Sequence, residues 1–352
     1  MKIKYLIMLV AACVLFSFCT REPVPSASSE LTLSWEDRAT KGAATEPEKQ
    51  LHSLWFYIFD ANGMLDVAYA CTAGDLSARK ATVRVKTGGK TVLAVANLPA
   101  ERQNAANAVA TLAELEAVTF DLSDNGDDNG EAHFIMTAKG TATVVSSTGA
   151  DCALNLERPV AKISLGTVRN QLPSPYGPIT VKQAFLCNVV GNQNIAGQAD
   201  AATWYNQNGT DEPNGGKTAT IGQGGHYARC AFTYHDVNAS IDHGGSYGGG
   251  QVFYAMPNAL TTEPGNPAYG TVFVPTCTVL MVVATIKGRD YYYPVPLKNK
   301  LVRNTDNLVN LTIIGLGNTL EDGPLNRIEK ADLRATVTVS DWTTGSVYTE
   351  TI

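Results

Sequence analysis

From Gln50 to the carboxy terminus the chain breaks into short apolar or alternating runs, each closed by Gly, Pro, Asn or Asp, and this punctuation restricts the fold more than any other feature. The clearest runs cover residues 54–59, 81–85, 91–98, 133–137, 141–145, 161–167, 181–190, 228–234, 251–256, 276–286, 291–297, 308–314 and 333–340. Runs this short cannot bury a helical stripe, but they suit strands, so the chain is predicted to be all-β. About a dozen strands in 352 residues suit two β-sandwiches in tandem, with a boundary near residues 155–159. One short helix stands out, residues 111–118, where Thr111 caps a turn that puts Leu112, Leu115 and Val118 on one face. Residues 191–250, rich in Gly, Asn and Gln, are expected to be exposed loops of the second sandwich.

The amino terminus has another character. Met1-Lys2-Ile3-Lys4 leads into an apolar run over residues 5–18, with no acidic residue before Glu22, which is the pattern of a signal peptide. The run is shorter than the roughly 20 residues that a permanent membrane helix needs, so an exported protein without a transmembrane anchor is expected. Cys19 closes the run as the cysteine of a bacterial lipobox would, although Phe18 before it is large; Cys13, preceded by Val10-Ala11-Ala12, is the alternative lipid site.

Just beyond lies Leu31-Thr32-Leu33-Ser34-Trp35. Leu31, Leu33 and Trp35 share one face at period two, as in a half-buried edge strand, and the polar stretch after it carries Arg38 and Lys41 with no apolar face to hold it down. The reading is a strand built to be cut away, with Arg38 and Lys41 both offered to a trypsin-like protease, leaving an unpaired slot in its sheet.

Charge and composition exclude several function classes. A net charge of -6, a pI near 5.4 and scattered Lys and Arg argue against a nucleic-acid binder. The five cysteines beyond the leader, Cys71, Cys152, Cys187, Cys230 and Cys277, are odd in number and widely spaced, so buried free thiols are expected. No nucleophile elbow of the G-x-S-x-G kind appears, and His226, Cys230, His235 and His243 follow no standard zinc spacing. The acidic stretch of residues 121–131 has alanine where a calcium loop needs its closing glutamate. No cofactor or metal is therefore expected. Tyr291-Tyr292-Tyr293, with Trp204, is the one candidate sugar-stacking surface, and it supports a rival reading as an outer-membrane glycan-binding β-sandwich lipoprotein.

Several stretches together resemble the fimbrillin family of Bacteroidales, the FimA-type major fimbrium subunits. They are Leu54-Trp55-Phe56-Tyr57-Ile58-Phe59-Asp60, the KTVLAVAN run from Lys90 to Asn97, Thr111-Leu112-Ala113-Glu114-Leu115, Ile135-Met136-Thr137-Ala138, and Leu156-Glu157-Arg158-Pro159-Val160-Ala161-Lys162-Ile163. Tyr292-Tyr293-Pro294-Val295, residues 300–304 leading into Leu311-Thr312-Ile313, and Val337-Thr338-Val339-Ser340-Asp341-Trp342 complete the order. The resemblance implies two transthyretin-like domains, export to the outer membrane as a lipoprotein precursor, and maturation by an extracellular Arg- or Lys-specific protease. On this chain it implies a signal peptide over residues 1–18, a lipidated propeptide over 19–38 cut after Arg38, before Ala39, with Lys41 as the nearby alternative, and domains over 39–156 and 157–352.

The vacated slot would then accept an extended segment of a neighbouring copy or another fimbrial subunit. The tail offers two candidates: Leu333, Ala335, Val337 and Val339 form one apolar row, and Tyr348 and Ile352 share a face beyond it. Donor and acceptor at opposite ends of one chain make a head-to-tail contact, which grows a filament that supports adhesion.

Overall fold

The computed structural model describes residues 27–37, 46–126, 133–206, 231–263, 275–298, 301–319, 333–341 and 347–351. Its first half contains β1 (Ser28–Asp37), β2 (Leu54–Phe59), β3 (Leu65–Ala70), β4 (Lys80–Lys86), β5 (Gly88–Ala96), β6 (Thr119–Asp121), β7 (Met136–Val144) and β8 (Ala150–Leu156). The second half contains β9 (Ala161–Asn170), β10 (Ile179–Cys187), β11 (Val189–Asn194), β12 (Ala199–Tyr205), β13 (Tyr234–Ile241), β14 (Ser246–Tyr247) and β15 (Val252–Ala255). It continues with β16 (Val279–Ile286), β17 (Arg289–Pro296), β18 (Thr305–Ile313), β19 (Leu333–Asp341) and β20 (Val347–Thr351).

The all-β expectation holds, and the strands form two sandwiches in tandem. In the first, the sheet β3-β2-β5-β7 packs against β4-β1-β8; in the second, β13-β10-β16-β17 packs against a sheet in which β9, β18, β19 and β20 lie side by side. Both cores are built by alternation. Val83 and Val85 on β4 are buried while Arg84 and Lys86 are exposed, and central strands such as β16 are apolar on both faces because both are covered.

Residues 133–137 and 141–145, separate runs in the sequence, meet in the single strand β7, because Gly140 continues the ladder where packing leaves no room for a side chain. A Cβ on Gly140 would stand 2.7 Å from Leu154 and 2.9 Å from the Cys152 sulfur. The expected loop region after residue 191 is partly regular, since β11 and β12 pair as a hairpin; residues 207–230 lie outside the described residues. Among the described residues there are four short α-helices, α1 (Glu46–Lys49), α2 (Ala73–Ala78), α3 (Ala100–Asn107) and α4 (Leu112–Ala117). The predicted helix is α4, with Thr111 and Glu114 in a reciprocal capping box; Thr72 and Asp75 build the same box on α2.

Several contacts tie the halves together. Strand β6 of the first half pairs with β11 of the second. Glu48 on α1 is 2% exposed and reaches into the second half, where its carboxylate meets Lys162 at 3.0 Å and the Tyr254 hydroxyl. Its carbonyl oxygen accepts from Arg158 Nε and Nη2 at 2.9 and 2.6 Å.

Candidate functional site

Strand β1 is where the sequence concentrated its functional signal. Its alternation leaves Glu30, Ser34 and Glu36 exposed and drives Leu31 and Leu33 to 0% and Trp35 to 2% exposure. The expected edge position is corrected: β1 is the middle strand of its sheet. It runs antiparallel to β4 from Ser28↔Lys86 to Ser34↔Lys80 and parallel to β8 from Leu31↔Ala150 to Asp37↔Leu156. Alternation reports which faces of a strand are buried and says nothing about how many neighbours it has, which is why the edge was inferred wrongly. Removing β1 would therefore open a slot with two hydrogen-bonding walls.

The inner lining of that slot is apolar. Leu31 lies opposite Val83 and Leu33 opposite Ala81 on β4, while Cys152 and Leu154 on β8 lie opposite Leu33 and Trp35. The Trp35 ring tilts against Phe56 with centroids 5.4 Å apart. At the amino-terminal end the fit is close: Gly149 has φ +68°, and a Cβ there would stand 2.5 Å from the Glu30 carbonyl oxygen. The wall β8 was missed at the sequence level, although the alternation of buried Cys152, Leu154 and Leu156 with exposed Ala153 and Asn155 was the available signal.

The chain beyond β1 is held elsewhere. Arg38, Ala39 and Lys41 lie outside the described residues, and from Glu46 onward the backbone is fixed by the buried Glu48 contacts and by Asn97. Asn97 Oδ1 accepts from the His52 and Ser53 amides at 2.8 and 3.2 Å, and its Nδ2 donates to the carbonyls of Gln50 and Phe134. A cut among residues 38–45 would separate β1 covalently from a segment with its own anchors.

At the other end of the molecule, β18 pairs with β9 in parallel and β19 antiparallel, and β19 pairs in turn with β20. Leu333 and Ala335 on β19 are buried in the second core at 7% and 2% exposure. Val337 and Val339 continue that strand opposite Val309 and Asn307, and Tyr348 lies on β20 opposite Val339. Among the described residues β20 has only β19 as a neighbour, so it forms the sheet edge. Ile352 and Cys19 lie outside the described residues.

The remaining candidates lead elsewhere. Tyr292, Tyr293 and Trp204 are buried at 3%, 0% and 5% exposure, and Tyr291 is half-buried with Arg289 5.9 Å over its ring, so the aromatic run packs into the core rather than forming a sugar platform. Asp121 and Asp124 cap the turn of residues 122–125, and Asp124 pairs with Arg102 at 3.1 Å. His235 Nε2 lies 2.7 Å from the Val252 carbonyl, and among the described residues no three His, Cys, Asp or Glu side chains group as metal ligands. Cys187 and Cys277 are fully buried free thiols; burial pushes the first well up and the second to about 12. A groove of about 460 Å³ between β7, β8 and Arg303 is lined by charges that pair with one another, Lys139 with Glu116 at 2.6 Å and Arg303 with Glu157 at 3.6 Å.

Residues 29–221 match the family model described as major fimbrial subunit protein, FimA. The chain belongs to the FimA family of major fimbrial subunits. The match begins inside β1 and covers more than half of the chain. Solved structures show the same fold for this fimbrial subunit. A fimbrilin of Porphyromonas gingivalis superimposes with a TM-score of 0.58 at 16% identity, covering 89% of this chain and 97% of that one. A Bacteroides eggerthii protein described as a cell adhesion protein gives 0.61 at 19% identity, covering 91% and 97%. The tip fimbrial protein Mfa3 of Porphyromonas gingivalis gives 0.53 at 14% identity, covering 90% and 100%. No sequence among curated proteins matches. Membership makes this a structural subunit of a cell-surface fimbrium.

Proposed function

We propose that this fimbrial subunit is exported as a lipoprotein acylated at Cys19, is activated by an extracellular Arg- or Lys-specific protease that cuts after Arg38, and then polymerises head-to-tail by strand addition. The observation that carries the reading is the position of β1: a middle strand, apolar inside and polar outside, that is followed at once by a basic residue and is tied to the rest of the chain by only one covalent connection downstream of the lipid. Burying Leu31, Leu33 and Trp35 contributes about 5–9 kcal/mol before ordering costs, at about 1.5–3 kcal/mol each, and both ladders add to it. A replacement strand recovers a stabilisation of the same order at each junction, enough to hold a fibre.

On the donor side, the burial of Leu333 and Ala335 in their own core favours β20 over the start of β19, because giving up β19 would open the second sandwich. An edge strand with one neighbour is the least costly part of that sheet to redeploy. The partners are copies of this chain and other fimbrial subunits.

Limited digestion of the purified precursor is the test. Wild type should yield a discrete cut after Arg38 followed by ladders of oligomers, whereas Arg38→Ala should stay uncut and monomeric, with Lys41→Ala examined beside it. Removing residues 343–352 should leave the protein folded and cleavable but unable to extend a ladder. Oligomers that persist without that tail would sink the terminal-donor idea.

A further inference from the structure

We propose that Trp35 makes β1 an imperfect occupant of its slot, and that the strand which replaces it, supplied by a second copy of this chain, presents at that register an apolar side chain with no polar hydrogen. This inference rests on the strand-addition reading above. The Trp35 side chain is 2% exposed, and its Nε1–H is buried with no hydrogen-bond partner among the described residues. Its ring neighbour is Phe56 and its cross-strand neighbour is Leu154, neither of which offers a side-chain acceptor. A donor sealed from water in this way destabilises the folded form that holds it, whereas an apolar group of the same shape does not.

The mismatch sits where release would begin. Paired register with β4 stops at Ser34↔Lys80, and the next amide, Trp35 N–H, reaches the Arg79 carbonyl at only 3.4 Å, while the far end of β1 is held by a 2.8 Å bond from the Thr87 amide to the Ala27 carbonyl and by Arg84 Nε on Ser28 Oγ at 2.9 Å. The carboxy-terminal end of β1 therefore combines an unsatisfied donor, the loss of the β4 ladder while pairing with β8 continues to Asp37↔Leu156, and the proposed cut three residues on. Once Arg38 is cut, this end of the strand is held by the β8 ladder alone. Position 35 leaves with the propeptide, so it tunes release without altering the mature subunit. The same rule selects the register of the incoming tail: Ile352 can take the Trp35 place, whereas Tyr348 would bring a new hydroxyl into it.

The experiment cleaves the full-length precursor after Arg38 and exchanges the cut strand for fluorescent synthetic peptides covering residues 27–38. These carry tryptophan at position 35 or its benzothiophene isostere, in which sulfur replaces the N–H. The isostere peptide should dissociate about tenfold or more slowly and delay the oligomer ladder in proportion. Dissociation at equal or faster rates than the tryptophan peptide would overturn the role of Trp35. Peptides that rank as expected while no oligomers form would overturn the assembly reading and leave Trp35 standing. A cut strand that never leaves would overturn both.

Discussion

Single residues set the tolerances of the slot. Gly149 holds a left-handed φ of +68° with its Cα side pressed on the Glu30 carbonyl, so Gly149→Ala combines backbone strain with a clash at 2.5 Å. The precursor should lose about 1–3 kcal/mol in urea denaturation. Asp306 is a different case. Burial raises its carboxyl above the ordinary range, against the opposing effects of Lys162 and the Ser164 hydroxyl. A raised folded-state value means that the contribution of this group to stability is full below the ordinary carboxylate range and is lost as pH rises through the folded value. Asp306→Asn should therefore melt higher than wild type near neutral pH, with the gap closing as the solution is acidified; a gap that widens in acid would contradict the burial argument. Both residues escape sequence reading, because neither a glycine after a polar turn nor an aspartate in a strand announces which backbone or charge will lie against it.

At the scale of elements, β1 and β20 are the strands that the proposed assembly would exchange. The two halves share one wiring: the first strand, β1 or β9, runs parallel to the last, β8 or β18, and antiparallel to a third, β4 or β15. Beyond β18 the second half adds β19 and β20, and only the last of these has a free edge among the described residues. Removing β20 should consequently leave the melting of the second sandwich nearly unchanged, while removing β19 as well would uncover β18 and the core that Leu333 and Ala335 fill. Circular dichroism melts of the two truncations check that difference. Most strands were legible from their punctuation, and β2 matches its predicted span of residues 54–59. Strand β3 was not, although Asn62-Gly63 marks the hairpin before it, with Gly63 at φ +76° and Asp60 accepting from the Asn62 and Met64 amides.

At the scale of the molecule, the proposed acceptor slot and donor strand belong to different halves, and the Glu48 contacts with Arg158, Lys162 and Tyr254, together with the β6–β11 pairing, connect those halves. In the proposed assembly a contact between unlike ends, whose rotation does not close a ring, repeats into a filament. An uncut Arg38→Ala precursor keeps its slot filled but retains a tail to donate. Added at about one part in ten to cleaved wild type, it should cap growing chains and shorten the ladder in proportion to its fraction, as read by native gels. Unchanged ladder length would mean that assembly does not run through the slot.

The sequence alone determined that this chain is all-β in two sandwiches, that Leu31, Leu33 and Trp35 share an apolar face, and that Arg38 follows them, because side-chain periodicity and turn chemistry are local properties. Only the tertiary structure decided that β1 lies between β4 and β8, that the tyrosine run is core, and that β20 is the strand at the sheet edge. Those are statements about neighbours, and a strand's pattern records which of its faces are buried but not which distant strands bury them.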